Sequence, residues 1–484
     1  MNISVIEETI KGNRATFSEI EKEVFKFAML YGQELLRLVL NVVDKQLAAE
    51  RDVKKYRDKG YRKTVIKTLL GEIEFSRKVY RDTSSEEPHY VYLLDEALGM
   101  RKIGLVSGEV CKFIASTVTE SSFRKTADQL QAAFGISISP QAVWNIVQAL
   151  GERQEELAER YAERAIEHQG LGEVETPILY EENDGIWLSL QGKDRKKHGP
   201  SKEMKVGIAY DGVELQTNKY GRVLRRKLSG KVAFATFNSI KDFRRKKEGI
   251  IANHYDTESI DLRVVNGDGA AWIQKTTAED TISVLDAFHR NKKIRECIPN
   301  KEHAQIVREM LLKGDYDELL EFLEICIDSV ATEEEKNGFR KLYKYYSINR
   351  NALGSYFERG IEIPPTRDPE KLHHARLGSM ESNVFTLVGN RMKGRRRCWS
   401  ISGGNHMVTL LCAYHTVGFE DLFAEMPEIP VIEPEWIDEG IPLAAAKIKE
   451  SVGKGYAFPG NISTQSAPAF MRELSKALSR SSIV

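Results

Sequence analysis

ILYEENDGIWLSLQG, residues 178–192, is the stretch whose reading decides the fold. Its second half alternates, with Ile186, Leu188 and Leu190 on one side of an extended chain, the signature of a half-buried strand. Two more strand-like runs follow, EMKVGIAYDGVEL at 203–215 and KVAFATFN at 231–238. A helical segment, IKDFRRKKEGIIANHY at 240–255, leads to the strand DLRVVNGDG at 261–269 and then to TISVLDAFHR at 281–290. Three strands, a helix and two more strands predict an α/β core built on a mixed five-stranded sheet. The first three strands would be antiparallel, and the later ones would enter by crossovers.

Three acids stand out against this order. Asp184 opens the alternating half of the first run, and we expect it at a strand start. Asp268 closes LRVVNGD at a strand end, and Glu381 lies in the helix-like SMESNVFTLVGNRM at 379–392. Taken singly, each has an ordinary explanation. Asp-Gly is a common turn pair, and an acid after a capping Ser379 suits the first turn of a helix. Together they suggest more, because a carboxylate at the end of an apolar strand is costly unless it is paired or metal-bound. Three carboxylates converging from separate elements can hold two divalent ions that act on phosphodiesters.

The composition leaves room for that chemistry. The chain has 484 residues, 41% of them hydrophobic, and two to four domains are expected from its length. No apolar run approaches a membrane span, and MNISVIEETIKGNRATF has no signal-peptide core. Five widely spaced cysteines without a CxxC argue against disulfides and a cysteine zinc site, and for a reducing cytoplasm. Formal net charge is zero but unevenly distributed: residues 151–183 hold ten acids and three Arg, and residues 191–250 hold seventeen Lys/Arg and six acids. Such segregation suggests either a basic face for a polyanion, with the acids kept apart, or two solvated helical faces of opposite sign.

The remaining organisation can be read in blocks. Residues 1–60 form an N-terminal helical region, in which Ile20, Val24, Phe27, Tyr31, Leu35 and Leu38 recur at helical spacing. Residues 61–103 hold a β-hairpin around Gly71, and residues 104–169 return to helix. There SSFRKTADQLQAAF, the break GISISP and a helix opening on Pro140 form a candidate helix-turn-helix, with Gln141, Trp144 and Asn145 offered to base edges. The connection is long for that motif, and a plain helical pair is the alternative. Residues 170–290 and 373–425 make up the core, and 291–372 a helical insertion. Residues 426–484 are a Pro-, Gly- and Ser-containing tail.

The order Asp184, Asp268, Asp286-x-x-His289, helical insertion, Glu381 completes a resemblance. With the strings DGIWLSLQGKDR, VVNGDGAAWI, VLDAFHRNKKI and GRRRCWSISGGNHM, residues 60–425 resemble the ISLre-type insertion-sequence transposases of the Mutator-like superfamily. This resemblance implies an RNase H-like catalytic core. It also implies an acidic triad of Asp184, Asp268 and Glu381 binding two Mg²⁺ (or Mn²⁺), with Asp286 and His289 as an accessory motif. The implied activity is metal-dependent cleavage and strand transfer of double-stranded DNA, by a homodimer or higher oligomer in the cytoplasm at the nucleoid. The alternatives are an RNase H-like nuclease without strand transfer, or a non-catalytic DNA-binding protein derived from a transposase. DNA contacts are expected from Arg391, Lys393, Arg395, Arg396, Arg397 and Trp399, because Arg forks suit phosphates and a ring can stack on a base. The helical run Arg244, Arg245, Lys246, Lys247 is a second candidate.

Overall fold

Thr16 starts the first helix by a capping box: its hydroxyl accepts from the Glu19 N–H, and its own N–H donates to the Glu19 carboxylate at 2.8 Å. In this computed structural model the described residues are 16–84, 87–98, 106–167, 172–274, 280–394, 396–419 and 423. The tail over 426–484 and Arg395 lie outside them. The chain divides into two units, Met1–Phe113 with Ala127–Ser139 and Ala424–Val484, and Ile114–Thr126 with Pro140–Phe423.

In the first unit, α1 (Phe17–Glu50) precedes the antiparallel strands β1 (Tyr56–Thr68) and β2 (Gly71–Asp82). This is the hairpin that the period-two pattern around Gly71 predicts. It starts earlier than expected, at Tyr56, and gains a short third strand, β3 (His89–Val91). Leu40 and Val43 of α1 pack with Ile66, Ile73, Phe75 and Leu94, the last carried by α2 (Leu93–Ala97). Two helices follow, α3 (Gly108–Glu120) and α4 (Phe123–Phe134). After the break comes α5 (Pro140–Glu167), which belongs to the second unit and has Pro140 in its first turn, where a missing N–H costs nothing.

The second unit holds the expected mixed sheet. Its strands are β4 (Ile178–Ser189), β5 (Ser201–Tyr210), β8 (Val232–Thr236), β9 (Leu262–Gly267) and β10 (Thr281–Leu285), in the order β10-β9-β4-β5-β8. The first three are antiparallel, and β9 and β10 run parallel to β4. Between β4 and β5 lies α6 (Gly192–His198), and between β8 and β9 lies α7 (Ile240–His254). Two expectations need correcting. EMKVGIAYDGVEL is not one strand. It breaks at fully buried Asp211, which accepts from Arg367 Nε at 2.7 Å, and the chain leaves the sheet as a separate hairpin, β6 (Gly212–Thr217) and β7 (Val223–Ser229). Asp184 is not at a strand start either. It sits in the middle of β4, because the preceding ILYEEN is buried on both faces and extends the strand backwards.

After β10 come α8 (Ala287–Cys297), α9 (Lys301–Lys313), α10 (Tyr316–Ser329) and α11 (Glu333–Ile348). This helical insertion has a core of its own, with Val307, Leu319, Leu323, Leu342 and Tyr346 among its members. The chain returns through β11 (Leu372–His373), which pairs with β6. It then enters α12, α-helical over Met380–Val384 and Asn390–Met392 and π-helical over Phe385–Gly389. The last long helix is α13 (Ile401–Tyr414). Among the described residues no helix is long and apolar enough to cross a membrane.

The segregated charges also need a new reading, because tertiary packing brings them together. Arg245 and Lys246 of α7 pair with Glu159 of α5. Fully buried Glu181 of β4 takes both Lys247 and Arg263, the latter at 3.3 Å. Close approach of the two helices is built in at Gly249, where a Cβ would stand 2.4 Å from the Ala162 nitrogen. Burial pushes the Glu181 carboxyl up, and the Lys247 and Arg263 cations more than reverse that. Glu181→Gln should therefore cost about 3–5 kcal/mol, because buried Lys247 loses its close anion, while Arg263 keeps Glu248 at 2.7 Å. Arg245→Ala, at a more open pair, should cost under about 1 kcal/mol. Thermal unfolding of the two variants checks this, and equal shifts would remove the buried pair from its anchoring role.

Candidate active site

Parallel register builds the site. Asn183 of β4 pairs with Gly267 of β9, and Gly267 pairs with Leu285 of β10. One residue further along each chain stand Asp184, Asp268 and Asp286. The three aspartates are thus level on three adjacent stretches of chain. With His289 and Glu381 they line one cavity of about 30 Å³. All five residues singled out from the sequence come together there.

Each is held differently. Asp184 Oδ1 accepts from the Gly185 N–H at 2.7 Å, and its Oδ2 lies 3.7 Å from His289 Nε2. That carboxylate raises the His289 pKa above its ordinary value, against the effect of burial, with Asp286 and Asp268 adding to the rise. Asp268 Oδ1 accepts from the Ala270 N–H at 2.8 Å, and its carbonyl accepts from the Tyr345 hydroxyl at 2.6 Å. The helical insertion therefore buttresses an acid of the core. Asp286 is buried and caps α8, accepting from the N–H groups of Phe288 (3.0 Å) and His289 (3.1 Å). Its part is to fix the helix that presents His289. Glu381 is exposed in the first turn of α12, and its carboxylate has no hydrogen bond or ion pair among the described residues. Ser379, expected as its cap, makes no side-chain cap hydrogen bond.

What does hold α12 is a residue that sequence reasoning missed. Glu182, fully buried on β4, accepts from the Tyr210 hydroxyl (2.7 Å), Asn266 Nδ2 (2.9 Å), the Gly378 N–H (2.8 Å) and the Ser379 N–H (3.1 Å). Burial pushes its carboxyl up, and these donors offset only part of that rise. The two N–H groups converge because Leu377 and Gly378 both take left-handed backbone, φ 57° and 85°. Asn266 also donates to Asp286 Oδ2 at 3.1 Å, so one hydrogen-bonded chain links β4, β9, α8 and the approach to α12. A signal was present in the sequence: Glu181 and Glu182 are two consecutive acids directly after the apolar ILY of the same strand that carries Asp184.

The donor set suits a hard divalent ion, being carboxylate and amide oxygen. The buried Asn266 Oδ1, beside the acids, has no hydrogen-bond partner among the described residues. In the present arrangement no three His, Cys, Asp or Glu side chains among the described residues are gathered closely enough to hold a metal ion. Glu381 would have to swing inward.

The residues expected to contact DNA divide into two groups. Arg391 is buried, donates to the Val118 carbonyl at 2.6 Å and lies over the Phe123 and Trp399 rings. Trp399 is buried with its indole N–H on the Met392 carbonyl at 2.9 Å. Both are used in packing and are not presented to DNA. Arg397 bonds the Asn390 carbonyl at 2.8 Å, which leaves Lys393 and Arg396 exposed. Arg244 bonds the Trp272 carbonyl, and Arg245, Lys246 and Lys247 face the acids described above. Their expected phosphate role gives way to internal pairing. At the start of α5, Gln141 and Asn145 are exposed and hydrogen-bonded to each other at 3.0 Å, and Trp144 is half-buried.

A family model described as "Uncharacterised protein family (UPF0236)" matches residues 10–423. The chain belongs to the UPF0236 family. It is similar to the Streptococcus gallolyticus "UPF0236 protein in vanSb 3'region", 24% identical over 425 residues, covering 83% of this chain and 84% of the relative. It is also similar to a UPF0236 protein of Caldanaerobacter subterraneus subsp. tengcongensis whose name joins eleven numbered designations. That relative is 23% identical over 409 residues, covering 83% of this chain and 81% of its own length.

For this UPF0236 chain, Glu182→Ala should lower stability by at least about 3 kcal/mol, since several buried donors lose their acceptor at once. It should also open the 376–381 segment to proteolysis. Limited digestion with mass mapping, alongside thermal melts, checks both. Unchanged cleavage there would mean that α12 is held by something else.

Proposed function

We propose that the protein is a DDE-type DNA transposase with an RNase H-like core. The observation that carries this reading is the level row Asp184, Asp268 and Asp286, joined by His289 and Glu381 in one cavity on the mixed sheet. The strand order supports it: three antiparallel strands extended by two parallel ones on the far side of the first is the arrangement expected of that core. The tengcongensis relative adds support, because a name joining eleven designations fits one protein encoded at many places in a genome, as a mobile element's product would be.

Asp184, Asp268 and Glu381 are the residues that would hold two Mg²⁺ (or Mn²⁺). When bound, such ions make a water or 3′ hydroxyl nucleophilic and stabilise the leaving oxygen. The chain's own groups have separate tasks. Asp184 is carried within β4 and Asp268 directly after β9, and Glu381 closes the site from a helix start. His289, its pKa raised by the Asp184 carboxylate, is placed to contact a phosphate oxygen or to orient that carboxylate. Phe288, 44% exposed at the cavity wall, offers a ring face to an unstacked base. Hydrolysis and strand transfer differ only in the attacking hydroxyl, so one such site serves both.

The test uses the purified chain with a supercoiled plasmid carrying the DNA that flanks its own gene. Nicking should require Mg²⁺ or Mn²⁺ and stop with EDTA. Asp184→Asn, Asp268→Asn and Glu381→Gln should each reduce it by roughly 10³-fold or more, and His289→Ala by about 10–100-fold. Joining of the cut ends to a second plasmid separates a transposase from a nuclease. Nicking that persists in all three acid variants would end the assignment.

A further inference from the structure

A second cavity, about 860 Å³, lies on the other side of the segment that carries Glu381. One wall is the extra hairpin β6–β7, and the other is the run from His373 to Thr386. The two cavities divide this run between them: Gly378, Met380 and Glu381 line the acidic one, while Leu377, Ser379, Ser382 and Asn383 line the larger.

Its lining is strongly cationic. Arg225, Arg226 and Arg376 are exposed and make no ion pair or hydrogen bond through their side chains with any described residue. The single carboxylate in the lining, Glu214, is already paired with Lys227 at 3.6 Å. Lys231 is mostly buried, donates to Asn383 Oδ1 at 3.1 Å and has no carboxylate partner among the described residues. Burial holds its pKa below the ordinary value, a cost that an incoming anion would remove. On α7, by contrast, Arg245, Lys246 and Lys247 are paired with acids. Here they are left open.

We infer that this cavity binds a few nucleotides of a single DNA strand by its phosphates, and that the strand continues past Ser379 to the acidic site. The size fits, since 860 Å³ is within the range of pockets that enclose small ligands, roughly 300–1,000 Å³, and too small to enclose a duplex. The chemistry fits as well. Among the described lining residues Tyr210 is the only Phe, Tyr or Trp and is itself fully buried, so any ring contact to a base is left to the smaller imidazoles of His373, His374 and His415. Recognition would rest on charge, and binding would be indifferent to sequence and steeply dependent on salt. The inference rests on the phosphodiester reading of the acidic site for the strand's destination, but not for the binding itself.

The experiment is fluorescence anisotropy of a short labelled oligothymidylate with the full chain, in EDTA, over a salt series. The wild type should bind it in preference to a duplex of equal length. Arg225→Ala/Arg226→Ala/Arg376→Ala should weaken binding at least about tenfold and flatten the log–log salt slope by about 2, at roughly 0.7 per contact on single strands. The matching triple Lys variant should recover most of the affinity, which loss of fold would not allow. Unchanged affinity and slope in the Ala variant, preference for duplex, or no binding by the wild type would each overturn the inference. Metal-dependent nicking, measured in parallel, reports on the acidic site alone. Strand binding without nicking would therefore count against the transposase reading, and nicking without strand binding against this cavity.

Discussion

A carboxylate with no exposed surface organises the centre of this molecule. Glu182 is inside the sheet, where an anion without partners would be prohibitively costly, and so its neighbours must bring donors to it. Tyr210 does so from β5 and Asn266 from β9, both fixed by strand register. The Gly378 and Ser379 N–H groups do so from a segment far along the chain, at the expense of left-handed backbone at Leu377, a conformation that a residue with a Cβ resists. Glu381 follows two residues later. The position of the most distant member of the acidic group is thus set by a residue two places from the first.

Charge pairing explains how a chain of zero formal net charge can still be basic where it matters. Glu159 and Glu181 occupy Arg245, Lys246, Lys247 and Arg263. What α7 spends internally, the hairpin β6–β7 and Arg376 do not. The distribution of free cations is therefore quite different from the distribution of cations along the sequence. The insertion follows the same economy of support, with Tyr345 reaching back to the backbone of Asp268 from a helix that has its own core.

Much of this was legible in the residues. Alternation at Ile186, Leu188 and Leu190, with apolar ends at LRVVNG and TISVL, was enough for the mixed sheet, and the acids that closed those runs were enough for the candidate site. What could not be read was pairing between distant segments. The acidic run 151–183 and the basic α7 look like two solvated faces until tertiary packing pairs Glu159 with Arg245 and Lys246 and Glu181 with Lys247. Arg391 and Trp399 look like a DNA-facing pair until each stacks on the other in the interior. The break at Asp211 was hidden because no proline marks it, and its one trace is a change of apolar phase from Val206, Ile208 and Tyr210 to Val213 and Leu215. Arg367, the residue that makes the buried break tolerable, lies 156 residues away.

The π turn in α12 has a consequence for how one helix serves two masters. Its buried residues come as pairs four apart: Asn383 and Val384, Leu387 and Val388, Arg391 and Met392. In a regular helix of 3.6 residues per turn, a spacing of four drifts by about 40° each time, and the later pairs would rotate off the core. The wider turn at Phe385–Gly389 absorbs that drift, as such bulges do. The helix acts as a phase corrector: its first turn keeps Glu381 at the solvent edge while its last turn drives Arg391 inward. The angular relation between the acid and the core is therefore encoded by a count of residues, independent of what those residues are.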